Sequence, residues 1–72
     1  MTNSAKEDRG RIIARLESAH RKITELHSRE MEYVLRGDFV GAAAITTALQ
    51  AAREERDSIA QELREHVDDH GY

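Results

Sequence analysis

The chain has 72 residues, no cysteine, no proline and only three aromatic residues, and 35% of it is charged. This composition excludes a disulfide framework and a thiolate zinc site, and it favours long helices over a β-sandwich or barrel. A chain of this size forms one small domain at most, and such domains usually need a disulfide, a metal or association to be comfortably stable.

The net charge of −3 is unevenly placed. Residues 1–36 carry eight Lys or Arg against six Asp or Glu, a net +2, and residues 37–72 carry three against eight, a net −5. Halves of opposite sign suit packing against one another.

In chain order, residues 1–3 are expected to be disordered. Ser4-Ala5-Lys6-Glu7 matches the capping box S-x-x-E, so a helix is expected to begin at Ser4. The segment MTNSAKEDRGR lacks the apolar core of a signal peptide, and a cytoplasmic location is expected. Apolar or small residues then recur at Ile12, Leu16, Ala19, Ile23 and Leu26, in alternating steps of four and three, and the rhythm continues through Glu30 to Tyr33. That is a heptad seam. Gly37 follows Arg36 as a helix-terminating glycine, and Asp38 is a good N-cap for a second helix. The seam resumes at Ile45, Leu49, Ala52, Arg56, Ile59, Leu63 and His66. The expected boundaries are helix 4–36, turn 37–38 and helix 38–67, one hairpin domain over 4–67. The tail 68–72 places acids at the negative end of the helix dipole and is expected to fray.

So short a turn forces the helices antiparallel, and the seam then has one good register. It pairs Ile12 with Leu63, Leu16 with Ile59, Ala19 with Arg56, Ile23 with Ala52, Leu26 with Leu49, and Glu30 with Ile45, so large residues often meet small ones. One flank sets Arg15 opposite Glu62 and Lys22 opposite Glu55. The other sets Ile13, His20, His27 and Val34 opposite Ala60, Arg53, Thr46 and Phe39, and is partly apolar.

The fourteen residues Phe39 to Ala52, FVGAAAITTALQAA, carry no charge. A helix that is uncharged all round is normally buried on more than one side. The stretch is shorter than the ~20 apolar residues a bilayer span takes, and no membrane association is expected. The fold class expected is an all-α antiparallel two-helix hairpin that self-associates into a four-helix bundle or larger helical oligomer. The expected partner or oligomer interface is the turn-proximal apolar face: Leu26, Met31, Tyr33, Val34, Val40, Ala44, Ala48 and Ala51.

Two polar residues interrupt the seam. Glu30 lies in the broad apolar zone, where an isolated carboxylate is costly to bury, so it is expected to bond to His27, Tyr33, Thr46 or Thr47 and to fix register or oligomer state. Arg56 opposes the small Ala19 and is expected to run its stem outward to a carboxylate. Glu17-Ser-Ala-His20 reads as E-x-x-H, the pairing that supplies ligands in ferritin-like di-iron bundles, and Glu17, His20 and Glu30 are the metal-ligating candidates of an alternative reading. Arg15, Lys22, Arg29 and Arg36 form a basic stripe with a period of seven, the basis of a second alternative, a nucleic-acid-associated regulator. No aromatic residues interleave with that stripe for base stacking. Arg36-Gly37-Asp38 spells RGD, and each of its residues has a structural role in a turn.

Asp38-Phe39 followed by Ala42-Ala43 resembles part of the UvrB/UvrC-type helical hairpin, whose pattern runs Asp/Asn-Phe-Glu-x-Ala-Ala and then Arg-Asp. Val40 stands where that pattern has its acid, and Thr46-Thr47 stand near the place of its charged pair. The resemblance implies a hairpin turn of this composition and no activity.

The chain has no nucleophile–base–orienter set and no glycine-rich phosphate loop. The function expected is therefore non-enzymatic: a helical protein–protein interaction module, acting as a small adaptor, assembly factor or regulator. A homo-oligomer and a protein partner are expected, with no cofactor and no nucleic acid.

Overall fold

The computed structural model describes residues 4–70, with side chains described for 6–69. Two helices of equal length, α1 (Ser4–Leu35) and α2 (Phe39–His70), pack against each other as an antiparallel hairpin, and no strand occurs among the described residues. The hairpin is a rod of 54 × 14 × 13 Å. Its radius of gyration of 16.3 Å exceeds the ~11 Å of a compact chain of this length.

Each seam position from Ile12 to Tyr33 and from Ile45 to His66 is buried or half-buried. The core is two clusters strung along the rod. Towards the open end Ile12, Ala19 and Ile59 are buried, with Leu16 and Leu63 packed on them. Towards the turn Ile23, Leu49 and Ala52 are buried, with Leu26 packed on them. Leu49, at 1% exposure, is the most completely buried large side chain. The seam also reaches one step further than its recurrence suggested, to the buried Ala42. Alanine at such a position reads equally as core or surface.

The register expected from the seam is supported from the side as well. Arg15 Nη1 meets both carboxylate oxygens of Glu62, at 3.2 and 3.0 Å. Lys22 and Glu55 line the same shallow cleft on that flank without closing to an ion pair.

The turn is a Schellman motif. Asp38 N–H donates to the Tyr33 carbonyl at 2.9 Å and Gly37 N–H to the Val34 carbonyl at 3.0 Å, while Gly37 has φ +77°. That φ is costly for a side chain with a Cβ and free for glycine. Asp38 then caps α2: its Oδ1 accepts from Gly41 N–H at 2.9 Å. The Arg36 guanidinium lies over the Tyr33 ring, 5.1 Å from its centroid. The RGD tripeptide is thus engaged, residue by residue, in building the turn.

Helix boundaries differ slightly from those expected. Helix α1 ends at Leu35, because Arg36 belongs to the terminating motif. Helix α2 continues three residues past Val67, to His70. The side-chain half of the Ser4 capping box, the disorder expected of residues 1–3 and the fraying expected of residues 71–72 lie outside the described residues.

Candidate functional site

Around the turn the molecule carries its least soluble surface. Leu35, Phe39 and Val40 are 81%, 69% and 85% exposed, and Met31 and Val34 are exposed beside them. Behind this tip, α2 presents Ala43, Ala44, Ala48 and Ala51 to solvent. The cause is arithmetic. One partner helix covers about a third of a helix surface, whereas the stretch Phe39–Ala52 is uncharged on every side. Only Ala42, Leu49 and Ala52 of that stretch are buried against α1.

Of the residues expected at the interface, Met31, Val34, Val40, Ala44, Ala48 and Ala51 are exposed. Leu26 and Tyr33, which the sequence also places on the seam, are half-buried inside the hairpin. Leu26 packs on the core near Leu49, and the Tyr33 ring lies over Gly41, so close that a Cβ there would stand 2.6 Å from its Cδ1. Gly41 is therefore a packing residue, and one that sequence reasoning missed. The signal available was the pair Tyr33 and Gly41 at facing levels of the hairpin, a bulky ring opposite a position without a side chain.

Glu30 sits at the base of this surface with 20% of its side chain exposed. It accepts a hydrogen bond from the Thr46 hydroxyl across the helix pair, and its other oxygen lies 3.6 Å from His27 Nδ1. Of the four residues expected as its partner, Thr46 is the one bonded, and His27 lies alongside. The Glu30–Thr46 bond is the one polar rung of the turn-proximal seam, and it ties α1 to α2 at a single level. Arg56 behaves as its position demands. Its guanidinium leaves the seam and is bound through Nε and Nη2 to Asp57 Oδ1, at 3.1 and 3.0 Å.

The metal-ligating candidates are not brought together. Glu17 and Glu30 lie thirteen residues apart on one helix, about 20 Å along its axis. Glu17 and His20 instead border an open groove of about 550 Å³ on the flank, with Leu16, Arg21, Arg56 and Ala60. Among the described residues no group of three or more His, Cys, Asp or Glu could hold a metal ion. In the basic stripe, Arg15 is paired with Glu62, Arg29 lies 3.9 Å from Glu25, and Arg36 stacks on Tyr33. Three of its four cations thereby have a neighbour within the hairpin, through exposed contacts.

Among the described residues no helix is long and apolar enough to cross a membrane. No family model, curated protein or solved structure matches the chain.

Proposed function

We propose that this protein is a non-enzymatic interaction module. The hairpin presents the apolar surface around its turn to other helices, and it associates with itself into a four-helix bundle or larger helical oligomer. The observation that carries this reading is the exposure of Leu35, Phe39 and Val40 together with the open alanine face of α2. Apolar surface concentrated at one end of a molecule marks an association site, whereas isolated exposed hydrophobic residues do not. Small residues let a further helix approach closely and make many shallow contacts. On this reading the output of the protein is binding, as an adaptor, assembly factor or small regulator in the cytoplasm, and Glu30 and Arg56 set register rather than perform chemistry.

Sedimentation velocity of the wild type and of Ala48→Glu tests this, with circular dichroism to confirm that both stay helical. A wild type larger than a monomer, reduced in mass by Ala48→Glu, is expected. A mass unchanged by Ala48→Glu removes the alanine face from the reading.

A further inference from the structure

A second surface lies along the flank opposite the Arg15–Glu62 pair. The register of the seam sets four rungs along it, Ile13 with Ala60, His20 with Arg53, His27 with Thr46, and Val34 with Phe39, and all eight residues are exposed. In that order they read apolar, polar, polar, apolar. A sequence of rungs that is the same from either end can be laid on a reversed copy of itself, apolar on apolar and polar on polar.

We infer that this flank is a two-fold interface on which a second copy of the hairpin packs end-for-end, turn over open end, to close a four-helix bundle. The inference rests on the reading that the protein works by helix-on-helix packing. It extends that reading to the open end, which the turn-proximal surface does not involve.

In this arrangement α1 runs antiparallel over α1 of the second copy, and α2 over α2. Ile13 then faces Val34 of the other copy, and Ala60 faces its Phe39. Phe39 finds a receptor, because the open groove of about 550 Å³ lies on this flank at the level of Leu16, His20 and Ala60. Four of the six exposed large hydrophobic residues, Ile13, Met31, Val34 and Phe39, belong to the flank or its edge.

Charge selects the end-for-end arrangement over the alternative in which turn lies on turn. Turn on turn places Arg53 over His20 of the other copy. End-for-end places it over Thr46, within reach of the Glu30 carboxylate that Thr46 holds at the hairpin surface. A cation gains more from a carboxylate than from an imidazole at the same distance.

The area agrees. The hairpin exposes 5442 Å², whereas a compact chain of 8.2 kDa exposes about 4500 Å². The surplus, about 900 Å² per chain, is close to the ~800 Å² that each partner contributes to a standard stable interface.

The test uses the absence of cysteine in the chain. Ile13 and Val34 lie twenty-one residues apart on α1, about 32 Å, far beyond disulfide reach within one molecule. Oxidation of the double variant Ile13→Cys/Val34→Cys is expected to give a discrete covalent dimer on a non-reducing gel, with each single variant remaining uncrosslinked. A ladder of multimers, an uncrosslinked double variant, or efficient crosslinking by Ile13→Cys alone overturns the arrangement. Ile13→Glu, an exposed substitution at the open end, is expected to weaken the dimer at least about tenfold while leaving helicity unchanged. If Ala48→Glu lowers the mass but the double variant does not crosslink, the flank is wrong and the turn-proximal surface stands. If the double variant crosslinks and Ala48→Glu is silent, the reverse holds.

Discussion

The two ends of this hairpin are built by different means. The open end is held by generic seam packing around Ile12, Ala19 and Ile59, and its flank is closed by an exposed ion pair between Arg15 and Glu62. The turn end is held by particular fits: a left-handed Gly37, an aspartate cap, a tyrosine ring lying where Gly41 has no side chain, and a carboxylate bonded to a threonine. Outwardly the ends differ as well, since of the six exposed large hydrophobic residues among those described five, Met31, Val34, Leu35, Phe39 and Val40, lie at the turn end and Ile13 at the open end. The end with the most specific internal geometry is therefore the end left least suited to water. Its backbone is fixed by the turn's hydrogen bonds, so docking there has mainly side chains left to order.

That contrast can be broken most severely at Leu49, the most buried large side chain of the turn-side cluster. Leu49→Ala is expected to cost about 2–5 kcal/mol, since a two-helix core has few neighbours to close the cavity. Thermal denaturation followed by circular dichroism reads it, against Leu63→Ala at the half-buried open end, which should cost clearly less. Next comes Gly41→Ala. Its Cβ would meet Tyr33 Cδ1 at 2.6 Å and Asp38 Oδ2 at 2.8 Å, so ring and cap must both move, at a cost of about 1–3 kcal/mol. Gly10→Ala is the matching change at the open end, where a Cβ meets nothing within 4 Å. There the helix propensity of alanine should raise stability by about 0.5–1 kcal/mol. Opposite signs at these two glycines would sharpen the contrast, and equal signs would undo it. Asp38→Ala removes one cap and should cost about 1 kcal/mol, read from the urea midpoint. The smallest effect belongs to Arg15→Ala. Its partner is solvent-exposed, so less than about 1 kcal/mol is expected, vanishing at high salt.

The outline was legible from residue order alone. Alternating steps of four and three from Ile12 to Tyr33 and from Ile45 to His66 set which face of each helix is covered, because side-chain direction in a helix follows from residue number. Gly37-Asp38 set the turn, because only one kind of backbone geometry suits a glycine followed by an N-cap at that point. Once the turn is short, the antiparallel register follows, and Arg15 with Glu62 follows from the register; Glu30, which the register sets opposite Ile45, had four polar partners in reach, and only the structure chose Thr46 among them. The uncharged stretch announced surplus apolar surface for the same reason.

Tertiary structure decided what depends on shape rather than period. Leu26 and Tyr33 stood both on the seam and among the residues expected at the interface, and the space beside Leu49 and over Gly41 decided for the inside. Ala42 stands three residues before Ile45, on the seam's own rhythm, but only packing showed that the partner helix still covers the seam that close to the turn. That Lys22 and Glu55 share a cleft without joining reflects how weakly an exposed pair is drawn together. Periodicity determines which residues face the partner helix, and only packing determines which of them that helix covers.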